Sequence, residues 1–205
     1  MRLPVPVRGL NEPAREIDQA LAGLASYRCV SDRCNFTTVK NPHFLKPQVE
    51  EMHASEAGGF VPELETEMRK VEWCDLMIWQ FPLWWFSVPA ILKGWFDRVF
   101  AMGRFYGFGQ IYETGMLKGK KAMLSLTTGG PWDSYQQGGF NGDINGILRP
   151  IQRGMLEFVG FQVLAPQIFY SPAHKSQEER LPELEAYCAR LWQIEAEQPI
   201  EVGHY

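Results

Sequence analysis

The sequence contains none of the common catalytic or metal-binding signatures, and each missing motif removes a class of function. No C-x-x-C pair occurs among the four cysteines, Cys29, Cys34, Cys74 and Cys188. The spacing of Cys29 and Cys34 matches no common zinc pattern, and no neighbouring histidine pair completes a ligand set. There is no H-E-x-x-H, no P-loop and no G-x-G-x-x-G turn. His43, His53, His174 and His204 are scattered, so no metal is expected, and no Ser-His-Asp order is evident. Charge of one sign is also missing: Lys and Arg total 20 against 24 Asp and Glu, a net charge of −4 without long runs. Phosphate backbones are bound by basic surfaces, so nucleic acid is not an expected partner. The longest apolar run, around residues 76–86, is interrupted by Gln80 and Pro82 and is too short to span a bilayer. Residues 1–7 are broken by Pro4 and Pro6 and lack the apolar core of a leader. The expectation is a cytoplasmic protein without membrane insertion.

What remains reads as one domain over residues 1–205, long enough to bury a sizeable core. Aromatic residues make up 13% of the chain, and several of its seven Trp fall within residues 73–95. That clustering suits a site for a flat ring, and it equally suits an aromatic core. A helix is expected over 11–24, with Asn11 as cap and Pro13 in the first turn. Residues 25–61 show no clear period, and a long loop with a helical turn near Val49 is expected after Lys40. Pro62 opens a helix carrying Leu64, Met68 and Val71 at helical spacing. Residues 76–79 form a short apolar strand, and Pro82 and Pro89 bracket a loop. A helix covers 91–100, and a second buried strand covers 121–127. Residues 144–158 read as a helix that Pro150 either kinks or starts. A third strand is expected over 161–164 and a closing helix over 178–194. Alternating helices and apolar strands predict an α/β fold with a parallel sheet and helices on both faces.

In open parallel sheets, ligands bind beyond the carboxyl ends of the strands. Two loops leave such ends here. The first is Phe81-Pro82-Leu83-Trp84-Trp85-Phe86, whose flat side chains could hold a planar ring or could pad the sheet against a helix. The second is Thr127-Thr128-Gly129-Gly130, followed by Gly138-Gly139 and Asn141-Gly142-Asp143. Paired glycines let backbone amides approach a ligand, although a plain strand exit looks the same. Tyr135 could donate a hydrogen bond to charge developing on a carbonyl-rich ring, or be an ordinary surface-loop tyrosine.

Three segments carry a resemblance. Residues 79–99 read WQFPLWWFSVPAILKGWFDRV, residues 124–130 read LSLTTGG with Tyr135 and Gly142-Asp143 beyond, and residues 160–167 read GFQVLAPQ. Together, over about residues 31–195, they are similar to the NAD(P)H:quinone oxidoreductases, the DT-diaphorase-like flavoproteins. The resemblance implies a flavodoxin-like sheet with FAD at the strand ends, in a homodimer whose two sites lie at the interface. NAD(P)H would give a hydride to the flavin and leave, and a quinone or similar aromatic acceptor would then take it in the same place. By position, Pro82, Leu83, Trp84, Trp85 and Phe86 would line the flavin, and Thr127, Thr128, Gly129 and Gly130 would bond its ring edge. Tyr135 would stabilise negative charge on the reduced ring, and Arg180 would meet the adenine end of the cofactor. Trp85, Phe86, Gly129 and Gly130 would border the acceptor, with Tyr106 and Phe108 walling its pocket from the partner subunit.

The sequence departs from that family in two places. Mammalian members carry a histidine, thought to join a proton relay, where this chain has Asn141, which cannot titrate near neutrality. Tyr135 would then act alone or with water, with Asn141 beside it. The family also begins with an apolar strand and a loop that cradles the pyrophosphate. Residues 1–30 are atypical: Asn11-Glu12-Pro13 and residues 17–21 only faintly echo that loop, and the first strand region reads as reduced. Losing pyrophosphate donors weakens FAD and disfavours FMN less. The alternatives are therefore an FMN-dependent reductase, or a non-catalytic ligand-binding dimer.

Overall fold

The computed structural model describes residues 32–203, so the helix expected over 11–24 and the first strand region lie outside the described residues. Among the described residues four parallel strands form the sheet: β1 (Leu76–Pro82), β2 (Lys121–Thr128), β3 (Gln162–Val163) and β4 (Gln167–Tyr170). β2 pairs with β1 from Leu76↔Lys121 to Pro82↔Thr127, and on its other side with β3 and then β4. β1 is longer than its apolar run suggests, and its buried members are Trp79 and Phe81. The third strand path also differs from the single strand expected over 161–164. It is split by Leu164-Ala165-Pro166 and resumes as β4, because Pro166 has no N–H to give the ladder.

Among the described residues the α-helices are α1 (Pro47–Ala57), α2 (Pro62–Trp73), α3 (Ala90–Val99), α4 (Ile144–Ile151) and α5 (Gln177–Leu191). α1 lengthens the helical turn expected near Val49 and shortens the loop expected after Lys40. Its period is hidden in the sequence because its buried positions are Ala54 and a charged residue, Glu50. Glu50 accepts from the amides of Lys40 and Asn41, which fastens the preceding loop to the helix. Pro47 and Pro62 start their helices, where a missing N–H costs nothing. Asp143 caps α4 by accepting from the Asn145 amide at 2.9 Å, and Ser176 and Glu179 form a capping box at α5. Pro150 lies inside α4 and cannot bond the carbonyl one turn back. The helix continues as a π turn over Gln152–Leu156 and a tight turn over Glu157–Val159, so it neither starts nor ends at the proline.

Side chains alternate across the strands. Trp79, Phe81, Ala122, Leu124, Leu126 and Val163 join α2, α3 and α4 in the larger core. Met123, Leu164 and Ile78 face the other way, against Tyr187 and Leu191 of α5 and Ile194. Helices thus cover both faces of a parallel sheet, as expected. Among the described residues no helix is long and apolar enough to cross a membrane.

Arg104, in the loop after α3, clasps α2 through Glu65 and Glu72, with Nε 2.7 Å from Glu72. Its hydrogen bonds hold the Glu65 carboxyl below its ordinary range despite burial. A carboxyl depressed on folding stabilises above its unfolded value, about pH 4.3, and loses that contribution as pH falls through the folded value. Arg104→Met should therefore lower Tm near neutrality and flatten its fall between about pH 5 and pH 3. Thermal unfolding across that range checks this, and parallel curves for the two proteins would contradict it.

Candidate functional site

The two loops singled out in the sequence are joined at their bases. Pro82 is opposite Thr127 in the sheet, and the Leu83 amide donates to the Thr127 carbonyl at 2.8 Å. The end of β4 closes the other side: Tyr170 is opposite Thr128, the Ser171 amide donates to Thr128 at 3.1 Å, and the Ser171 hydroxyl donates to Gly129 at 3.2 Å. Three carboxyl ends of adjacent parallel strands therefore meet at one place.

The aromatic loop is a tight hairpin. The Trp84 and Ser87 amides donate to each other's carbonyls at 3.1 and 2.9 Å, and Trp85 and Phe86 between them have φ of 52° and 57°. Two central residues at positive φ mark the type I′ turn, which Asn and Gly adopt readily and bulky residues do not. Packing among the described residues does not reward that conformation, since Trp85 is 96% exposed and Trp84 and Phe86 are 60% and 51% exposed. The padding role falls instead to Trp79, Trp95, Phe96 and Phe100, whose rings cluster behind the turn, mostly edge to face. Trp85→Gly should accordingly raise stability by about 1 kcal/mol, because the left-handed strain disappears and no buried contact is lost. Urea unfolding of the unliganded protein checks the sign, and a loss of stability would mean that the tryptophan is structural.

The glycine loop is asymmetric. Among the described residues, a Cβ on Gly129 would meet nothing within 4 Å, whereas one on Gly130 would lie 3.1 Å from Asn141 Nδ2 and 3.2 Å from Tyr135 Cε2. Gly129 borders open space, and Gly130 is where Tyr135 and Asn141 converge. Tyr135 ends a short turn over Trp132–Tyr135 and is only 6% exposed, so it is not a surface-loop tyrosine. The Asn141 amide donates to the Ser134 carbonyl at 2.8 Å, which folds the loop back over that turn. The Thr128 hydroxyl donates to the Gly130 carbonyl at 2.8 Å and stiffens the exit from β2.

Other candidates lie on other elements. Tyr106 is half-buried against Phe158, with ring centroids 5.6 Å apart, and burial pushes its phenol pKa up against a hydrogen bond with Gln48. Phe108 sits at φ 52° in a second tight turn, where Gln110 donates to Gly107 at 2.8 Å, and its ring is exposed. Within the chain Tyr106 turns inward and Phe108 outward. Arg180 is exposed on α5. Among the described residues no group of His, Cys, Asp and Glu could hold a metal ion.

Two features are not apparent from the sequence. Tyr170 meets Tyr135 with ring centroids 6.0 Å apart, and Pro166 obscures the strand that carries it. A cavity of about 580 Å³ also runs beside β1, lined by Trp79, Trp84, Pro89, Leu92 and Trp95 with Glu67 among them.

A parallel sheet with helices on both faces, an aromatic hairpin and a glycine turn at its carboxyl ends defines a flavodoxin-like α/β protein. The family model described as the flavodoxin-like fold matches residues 16–193. Human ribosyldihydronicotinamide dehydrogenase [quinone] is 45% identical over 163 residues, covering 80% of this chain and 71% of that protein. Rat NAD(P)H dehydrogenase [quinone] 1 is 46% identical over 152 residues, covering 74% of this chain and 56% of that protein. A provisionally named quinone reductase from Klebsiella pneumoniae superposes with a TM-score of 0.80 at 32% identity, covering 97% of this chain and 84% of its own. The chain belongs to the NAD(P)H:quinone oxidoreductase family of flavodoxin-like proteins.

Proposed function

We propose that this chain is a flavin-dependent NAD(P)H:quinone oxidoreductase of the cytoplasm, using FAD and working as a homodimer. The carrying observation is the junction at Leu83 and Thr127, which joins the base of the exposed aromatic hairpin to the strand that leads into Gly129, beside which lies open space among the described residues. These residues fit a flavin: Trp84, Trp85 and Phe86 offer flat, exposed faces, and Gly129 leaves the room a ring needs. Pro82 and Leu83 fix the base of the hairpin, and Thr127, Thr128 and Gly130 present main chain along the opposite edge. Arg180 would hold the far end of the cofactor. The names of the human and rat relatives support the nicotinamide donor and the quinone acceptor.

A bound flavin would supply the hydride-transfer chemistry between nicotinamide and quinone. The chain's residues position and screen. Trp85 and Phe86 bracket the space that donor and acceptor share in turn, so one must leave before the other enters. Tyr135 lies beside Gly130, where its hydroxyl would donate toward charge gathering at the ring edge. Asn141 cannot change charge near neutrality, so its amide orients without supplying a proton. Phe108, displayed on its own turn, would complete the pocket of the other subunit, with Tyr106 behind it.

Purified protein given FAD should show flavin absorbance in the visible range and oxidise NADPH in the presence of menadione. Chromatography of the released cofactor separates FAD from FMN. Colourless protein that takes up neither flavin would leave a non-catalytic binding dimer. Tyr135→Phe should slow hydride transfer about tenfold, the low end for a hydrogen bond to a charged group, with flavin affinity retained. Stopped-flow reduction by NADPH measures the rate, and an unchanged rate removes Tyr135 from the chemistry.

A further inference from the structure

Resting on that reading, we infer that Tyr170 is a positioning residue for Tyr135. Tyr135 is carried on the loop that leaves β2 at Gly130 and returns to α4 at Asp143. Tyr170 is carried on the sheet. It ends β4 in register with Thr128, and the next amide, of Ser171, is bonded to the Thr128 carbonyl. Its ring meets the Tyr135 ring at 6.0 Å and 47°, a tilted contact between two phenols. Tyr135 also touches the space over Gly130, where an added Cβ would lie 3.2 Å from its ring edge. The loop tyrosine is therefore registered against the sheet by one aromatic face and against the glycine turn by its edge.

Position matters more than presence for a hydrogen-bond donor aimed at developing charge, because misplacement by about 1 Å can cost about a hundredfold in rate. The turn over Trp132–Tyr135 is short, and Trp132 at its start is exposed, so the turn itself gives Tyr135 little lateral support. Tyr170 supplies that support from the sheet. Burial raises the Tyr170 phenol pKa, with proximity to Tyr135 adding to it, so Tyr170 stays neutral and acts by its ring. The role assigned to Tyr170 is packing, which sets it apart from Tyr135 as a donor.

The test compares wild type with Tyr170→Ala, Tyr170→Phe and the double variant Tyr135→Phe/Tyr170→Ala. In the flavin-free proteins, Tyr170→Ala should lower the unfolding midpoint. Two further variants, Tyr135→Ala and Tyr135→Ala/Tyr170→Ala, complete the comparison: Tyr170→Ala should lower the midpoint less in the Tyr135→Ala background, where the ring contact is already gone. In the flavin-loaded proteins, Tyr170→Ala should slow reduction by NADPH about fivefold to tenfold at unchanged flavin affinity, and Tyr170→Phe should restore it. The double variant should be no slower than Tyr135→Phe alone, since a donor already removed cannot be misplaced. Additive slowing in the double variant, or failure of Tyr170→Phe to restore the rate, overturns the inference. If Tyr135→Phe itself leaves the rate unchanged, the assignment of Tyr135 fails first, and the midpoints of the flavin-free proteins still show whether the two rings are coupled.

Discussion

Gly115→Ala should lower Tm by roughly 10 °C, a large effect for one added methyl group. The backbone is not the cause, since Gly115 has φ −58° and ψ 152°, which alanine adopts freely. The cause is contact: an added Cβ would lie 2.5 Å from both N and Cα of Gly160 and 2.6 Å from the Val159 carbonyl carbon. Real Cβ atoms do not approach backbone so closely, and backbone cannot rotate away as a side chain can. Leu117 donates to the Val159 carbonyl at 2.9 Å, so separating the two segments also strains that bond. Overpacking costs about 1–3 kcal/mol when side chains can yield, and a backbone collision sits at the upper end. At roughly 3 °C per kcal/mol for a chain of this size, the shift follows. The damage should extend to the loop bearing Tyr106 and Tyr112, because both rings rest on Phe158 next to the collision. Gly146→Ala is the control: its Cβ meets nothing within 4 Å among the described residues, so it should be neutral or stabilise by about 0.5–1 kcal/mol. Equal effects from the two substitutions would show that contact at Gly115 is not what matters.

Much of this arrangement is legible in the residues themselves. The runs at 76–79 and 121–127 announce a buried parallel sheet, and the helix with Leu64, Met68 and Val71 buries all three. The loops after those strands point to the site because parallel strands must end together. Their contact at Leu83 and Thr127 follows from pairing. Other parts are hidden for identifiable reasons. Glu50 sits at a core position of α1 because loop amides satisfy its carboxylate, and a charged residue there breaks the apolar period. Pro166 conceals β4 and with it Tyr170. The positive φ of Trp85 and Phe86 could not be foreseen, because turns of that type are recognised by Asn and Gly. That mismatch between residue type and backbone is itself informative, since two large rings are held in a costly conformation and left exposed.

The opposite glycine isolates the ligand from the fold. Among the described residues Gly129 has no contact for a side chain to disturb, and its backbone is not left-handed, so Gly129→Leu should leave Tm of the unliganded protein unchanged. The same side chain would enter the space that is assigned to the flavin. A leucine there should weaken flavin binding about a hundredfold, equivalent to roughly 3 kcal/mol of lost contact and overpacking. Titration of FAD into wild type and Gly129→Leu, followed by quenching of tryptophan fluorescence, separates the effect on binding from any effect on folding. Strong quenching in wild type, abolished in a variant that melts at the same temperature, is the predicted result. Equal FAD affinity in the two proteins would place the flavin elsewhere and contradict the assignment of this site.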